Sequence, residues 1–329
     1  MKTKILAILL FASSAVIAQE STPAFERYSN QYVWFADLGY STAPLSIKIP
    51  STKGIDRVYL RNNSRMIIGL GFSYKWLTLR LSSGLLGNLR PLSRYGKTQY
   101  FDLGVDFTLK KRFYFDVDFH LYKGYTFKNA YRWNDTLNEL KPNTYDPELA
   151  AASFSVNTWH FNSEDFNMPS FKGKTGMYKR DIATWYIRYT MNYYGFGNEL
   201  GILPVEIRDT TKSITGAKTL AAFDLGAIPG YAIVKRYKNM QFGIMGGIGG
   251  TIQTKIYVRP DFTRGYLGLA PRVDFKLTAG WNKPNWFTML VTDFDNKGIA
   301  FRHLKYRQTF YTVKIVAGIR LERKKNKKN

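Results

Sequence analysis

Residues 113 to 127 read FYFDVDFHLYKGYTF, with Phe113, Phe115, Val117, Phe119 and Leu121 on odd positions and Tyr114, Asp116, Asp118, His120 and Tyr122 on even ones. Successive side chains of an extended chain point to opposite faces, so this period of two is that of a β-strand with one apolar and one polar face. The same alternation returns at 66 to 76, 77 to 85, 100 to 110, 183 to 193, 267 to 279 and 311 to 321. In the last of these, Tyr311, Val313, Ile315, Ala317, Ile319 and Leu321 oppose Thr312, Lys314, Gly318 and Arg320. Each strand therefore needs an apolar surrounding on one side and a polar one on the other.

A soluble β-sandwich or a lipocalin-like barrel has alternating strands too, but it must bury nearly every apolar face in a single core. A transmembrane barrel turns those faces to lipid instead, which keeps average hydropathy low while the aromatic content is high. The chain has 23 Tyr, 23 Phe and 7 Trp among 329 residues, and its mean hydropathy is −0.28. Tyr74, Trp76, Tyr100, Trp281 and Trp286 fall at strand ends, where interfacial aromatic girdles lie. The expected fold class is all-β, a transmembrane antiparallel up-and-down β-barrel of about 12 strands with one long extracellular loop. No stretch after residue 18 suits a transmembrane helix, because the most apolar one, 220 to 234, is interrupted by Asp224 and Pro229.

Outer-membrane barrels have short periplasmic turns and longer outer loops. Reading from the front, the turns at Lys75-Trp76 and Lys110-Lys111-Arg112 are periplasmic, and the stretch from Thr126 to Lys179 is the long outer loop. Reading back from the last strand, Asp295-Asn296-Lys297-Gly298 and residues 259 to 265 are periplasmic turns, while 281 to 285 and 235 to 239 lie outside. The two readings join if 195 to 216 connects strands on the periplasmic side. One strand is expected near residues 33 to 48.

The chain opens Met1-Lys2-Thr3-Lys4 and continues with an apolar run to Ile17-Ala18, the pattern of a secretory signal peptide cut after Ala18. The expected organisation is a signal peptide over 1–18, an outer-membrane barrel over 19–321 and a basic periplasmic tail over 322–329. There is no cysteine, and the formal charge is +24. A strongly basic chain raises nucleic acid as a partner, but a secreted one meets little of it. Outer-membrane lipid, lipopolysaccharide and small anionic solutes are the expected partners.

The polar faces gather charge. Asp102 and Asp106 share one strand, Asp116, Asp118 and His120 the next, with Arg80 before them and Arg188, Arg272, Asp274 and Lys276 after. Charges in a membrane point inward and pair, so these ten residues are expected to form an ion network in the lumen. Lys110, Lys314 and Arg320 join them on the inward face and suggest a narrow channel or binding protein for small anions. The second reading is a structural or assembly barrel closed by its own salt bridges. A third is a hydrolase: Asp118 and His120 lie about 6.6 Å apart by strand rise, and an oriented His120 is a candidate general base, although no nucleophile is spaced to it. Asp116, Asp118 and His120 lack further matching ligands, so neither a metal nor another cofactor is expected. The glycines of residues 242 to 250 lack the Lys-Ser/Thr of a phosphate loop and suit strand curvature instead.

At RMIIGLGFSYKWLTLRL (65 to 81), GKTQYFDLGVDF (96 to 107) and LYKGYTF (121 to 127) the chain resembles an uncharacterised Bacteroidota family, domain of unknown function 4421. The resemblance continues through TKSITGAKT (211 to 219) and VAGIRL (316 to 321). It implies an outer-membrane β-barrel and assigns no activity or substrate.

Overall fold

The computed structural model describes residues 23–322 apart from Ser29, residues 50–53, Ser64, Leu89 and Lys110. The expected signal peptide, the basic tail from residue 323 and Lys110 lie outside the described residues. The strands are β1 (Phe25–Arg27), β2 (Tyr32–Thr42), β3 (Leu45–Lys48), β4 (Arg57–Arg61), β5 (Arg65–Tyr74), β6 (Leu77–Asn88), β7 (Gln99–Leu109) and β8 (Phe113–Phe127), followed by β9 (Thr144–Phe161), β10 (Gly176–Tyr178), β11 (Ile182–Gly197), β12 (Thr219–Tyr237), β13 (Met240–Val258), β14 (Thr263–Asn282), β15 (Trp286–Ala300) and β16 (Lys305–Leu321). Two four-residue helices, α1 (Leu92–Tyr95) and α2 (Met168–Phe171), interrupt them.

Twelve of these strands form a closed antiparallel ring in the order β2, β5, β6, β7, β8, β9, β11, β12, β13, β14, β15, β16, with β16 pairing back onto β2 from Tyr311↔Thr42 to Leu321↔Tyr32. Closure removes the free edges that an open sheet of this size would carry. The wall is inside-out relative to a soluble protein. On β11, Thr184, Tyr186, Arg188, Thr190 and Asn192 are buried while Trp185, Tyr189, Met191 and Tyr193 are exposed. Leu70, Ile248 and Leu269 are 68, 73 and 81 % exposed on the outer face. Trp34, Trp76, Trp185, Trp281 and Trp286 are all exposed near the end of the barrel that carries the first and last wall residues. We call this the near end and the opposite one the far end.

Near-end turns are short. Lys75-Trp76 joins β5 to β6 and Lys238-Asn239 joins β12 to β13, with Lys75 and Lys238 both at φ 53, the left-handed conformation that a two-residue hairpin turn demands.

The stretch from Thr126 to Lys179 is divided by β9, an 18-residue wall strand. It leaves a far-end connection over 128–143 and a near-end one over 162–181. The signal in β9 is muted because its outward row is Ala152, Phe154, Val156, Thr158 and His160, and Pro147 stands near its start. Asp295-Asn296-Lys297-Gly298 is not a turn but part of β15, whose Asp295 points inward to Arg272 and whose Lys297 points inward to Ser155. Removing that turn reverses the reading back from the last strand. Residues 259–262 and 198–218 connect strands at the far end, and 238–239 and 283–285 at the near end.

Both ends are filled. At the far end the β3–β4 hairpin spans from β16 (Gln308↔Leu45) to β8 (Phe127↔Leu60) and packs Ile47 and Leu60 into an apolar core with Tyr125, Trp133, Leu203 and Tyr306. At the near end the 162–181 segment turns into the barrel, and β10 pairs with β1. Phe166, Phe171 and Tyr178 of that segment pack on Trp159, Phe161 and Tyr186 of the wall. Gly173 has φ 74, and a Cβ on it would lie 2.7 Å from Met289 Cγ, so the plug passes the wall at a point open only to glycine.

The wall has one unzipped seam among the described residues. β14 pairs with β13 from Thr263 to Trp281 but with β15 only from Asp274 to Asn282. Above it β15 leans inward, and side chains take the place of the missing ladder. The carbonyl of Asn296 accepts from Arg272 at 2.7 Å and that of Gly298 from Tyr194 at 2.8 Å and Gln253 at 2.9 Å, while that of Ala300 accepts from Lys255.

Candidate functional site

Between the two apolar plugs lies a chamber of about 140 Å³. It exists because the inward rows of the wall strands are polar at this level, and alternation delivers one inward side chain every second residue. Its lining carries Asp37, Asp102, Asp116, Asp118, Asp274, Asp293 and Asp295 against Arg80, Lys172, Lys174, Arg188, Lys276, Lys297 and Lys314, with His120 beside them. Acidic and basic groups are equal in number, so the excess of cations behind the expectation of anion passage is not found in this lining.

The charges form three groups. Arg80 Nη1 is 2.7 Å from Asp102 Oδ2 and 3.9 Å from Asp37, which Lys314 approaches at 3.8 Å. The β7–β8 register sets Asp102 directly opposite His120, with Nδ1 and Oδ1 3.2 Å apart. On the other side Arg188 lies 3.8 Å from Asp274 and 3.7 Å from Asp295, donates from Nε to Asn157 at 2.9 Å, and rests on the Trp159 ring. Arg272 reaches Asp295 at 3.5 Å, and Lys276 pairs with Asp293. Towards the near end Lys174 and Lys172 of the plug meet Asp106 at 2.8 and 3.6 Å.

Asp116 accepts from Asn157 at 2.5 Å and Trp159 at 3.1 Å, so neutral donors of β9 hold it, not a cation. Lys297 donates to Ser153 and, at 2.8 Å, to Ser155, and lies over the rings of Tyr194 and Phe310.

All ten residues read from the sequence as a lumen network face the interior. Eight line the chamber, Arg272 is fully buried beside it, and Asp106 sits where the plug docks. Sequence reasoning missed Asp37, Asp293, Asp295, Lys297 and the plug lysines. Asp37 could have been read from the alternation of β2, whose Val33, Phe35 and Asp37 are buried in turn. Lys172 and Lys174 come from a segment without period-two pattern, and only the tertiary fold places them. Arg320 serves the plug: it donates to the carbonyls of Gly173 at 2.6 Å and Lys174 at 2.8 Å, and to Asn282 at 2.7 Å. His120 meets Asp102 and Phe310.

Burial of so many ions is costly unless each is compensated, and a compensated network chiefly fixes one arrangement. Chemically the chamber can brace the wall, or hold a small group bearing both donors and acceptors.

The translocator domain of the autotransporter NalP from Neisseria meningitidis is 11 % identical over 97 % of this chain and 96 % of its own, with a TM-score of 0.39. The β domain of the Bordetella autotransporter BrkA is 11 % identical over 89 and 100 %, with a TM-score of 0.34. The Pseudomonas putida toluene transporter TodX is 8 % identical over 89 and 90 %, with a TM-score of 0.29. No curated protein matches. The sequence pattern of one family spans residues 25–320, nearly the whole described barrel, and the chain belongs to that family, the domain of unknown function DUF4421.

Proposed function

We propose that this protein is an integral outer-membrane β-barrel whose resting state is sealed, and that the charged chamber at its centre is a brace and binding cavity, not an open pore. The observation that carries this reading is the chamber's place between two packed apolar plugs, with seven aspartates and seven cations in its lining. The exposed outer face and its row of tryptophans at the near end fit a lipid bilayer. The near end is then periplasmic, and lipid and lipopolysaccharide are the surroundings. A small solute entering such a chamber would replace ion pairs, which favours one carrying both charges over a simple anion.

The test is single-channel recording of the refolded protein in a planar bilayer. Silence from the native chain is the expected result, and it should persist in Arg320→Ala, which loosens only the near-end plug and leaves the far-end one in place. Steady anion-selective openings of the native chain would overturn the sealed reading.

A further inference from the structure

We propose that Asp102, Asp118 and His120 bind one divalent transition-metal ion of the zinc class in the chamber wall. One carboxylate oxygen from each aspartate and one imidazole nitrogen lie within 4.8 Å of one another. The three side chains come from neighbouring strands. Register places Asp102 of β7 opposite His120 of β8, and Asp118 follows on the same inward face. Asp116, which shares that face, turns away to Asn157 and Trp159, and Asp102 takes its place as third ligand.

The independent observation concerns the two closest donors. Asp102 is only 2 % exposed, yet its Oδ1 has no hydrogen-bond partner, and neither has His120 Nδ1. The two atoms are 3.2 Å apart. Two donors bound to one tetrahedral ion at about 2.0–2.1 Å lie about 3.3 Å apart and both point at the ion. The second shell fits as well. Arg80 grips Asp102 through Oδ2 at 2.7 Å and leaves Oδ1 free for the ion. Gly104 faces Asp118, and a Cβ there would sit 3.2 Å from Asp118 Oδ1, so glycine leaves that carboxylate room to move. Asp37, Asp102 and Asp118 outnumber Arg80 and Lys314 around this point, so a cation is favoured despite the guanidinium. Three protein ligands leave a fourth position open to the chamber.

The test refolds the chain into detergent from chelator-treated denaturant in the presence of Zn²⁺ or Co²⁺, so that the sealed chamber does not bar entry. After dialysis, metal content is measured by mass spectrometry and the Co²⁺ protein by visible absorption. The expected result is one Zn²⁺ per barrel and the intense bands of tetrahedral Co²⁺. His120→Ala and Asp118→Asn should each lower affinity by about 100-fold or more, with His160→Ala and His303→Ala unchanged. Heat-modified gel migration checks that each variant has folded. A folded native chain that retains no metal, or metal that His160→Ala or His303→Ala removes, would overturn the site whether or not the chamber variants fold.

Discussion

Arg320, on the last wall strand, donates to the carbonyl oxygen of Gly173 at 2.6 Å, which ties the end of the barrel sequence to a plug formed about 150 residues earlier. The same guanidinium also reaches Lys174 O, Asn282 Oδ1 and Pro284 O. Each buried carbonyl left unsatisfied costs about 1–3 kcal/mol. Arg320→Ala should therefore release the 162–181 segment while the wall stays closed. Limited proteolysis should cut there in the variant and not in the native chain, with heat-modified gel migration retained.

Gly69 stands opposite Asp37 in the β2–β5 register. A Cβ at that position would lie 2.5 Å from Asp37 Oδ1 and also meet Ser82 Oγ. Asp37 is itself buried, 3.9 Å from Arg80 and 3.8 Å from Lys314. Overpacking of this kind costs about 1–3 kcal/mol. Gly69→Ala should lower the temperature at which the folded gel band is lost, and Gly87→Ala, where a Cβ meets open space, should not.

Arg188 bridges Asp274 and Asp295 while donating to Asn157. Removing one partner of a buried ion network leaves the others uncompensated, at a cost of about 3–5 kcal/mol. Arg188→Ala should be strongly destabilising in urea titrations from lipid. Arg188→Lys should recover only part of the loss, because a single ammonium cannot reproduce the planar fork.

Acid should loosen the near end at its surface pairs. The hydrogen bond from Lys179 holds the Glu26 carboxylate below its usual range on the β1–β10 sheet. At Asp181 partial burial pushes the carboxyl up, but hydrogen bonds from Lys235 and the Arg236 N–H outweigh it and leave it lowered. A carboxylate lowered on folding contributes stability that is complete above its unfolded value, near 4.5 for Glu26, and is lost as pH falls through the folded one. The pairs are half-exposed, so the effect is small. Amide exchange at Met177 and Arg236, corrected for the intrinsic rate, should be flat from pH 7 to about 5 and should quicken only below that.

The ring was legible because its signal is local. Phe113 to Phe127, Ile182 to Gly197 and Lys305 to Leu321 each announce an inside and an outside by period two, and the ten charged residues follow from which side is polar. What was not legible depends on contacts distant in sequence. β9 was hidden because Ala, Ser and Thr make both of its rows similar. Residues 295–298 looked like a turn because the reason for Asp and Lys in a strand is the partner each finds across the lumen. The plug has no periodicity at all, and its lysines acquire meaning only beside Asp106. The pairing of Asp102 with His120 needed the register of two strands, which alternation leaves open by any even number of residues.

The seam between β14 and β15 makes a prediction about backbone alone. Val273 N–H points to the β15 side, where it donates to Asn296 Oδ1 at 2.7 Å. In an antiparallel strand every second residue shares that direction, so Gly265, Leu267 and Leu269 turn their N–H and C=O to the unzipped edge. Pro271, next in the series, has no N–H to leave bare, as suits an edge position. Leu267, Leu269 and Gly265 amides should therefore exchange with deuterium far faster than Leu277 and Ala279 on the same strand. Leu269→Pro should be tolerated, since no ladder bond is lost there. Leu277→Pro, inside the zipped half facing Thr292, should cost a ladder bond and prevent the barrel from closing. Equal protection along the whole of β14, or equal failure of both proline variants, would mean that the seam zips shut in the membrane.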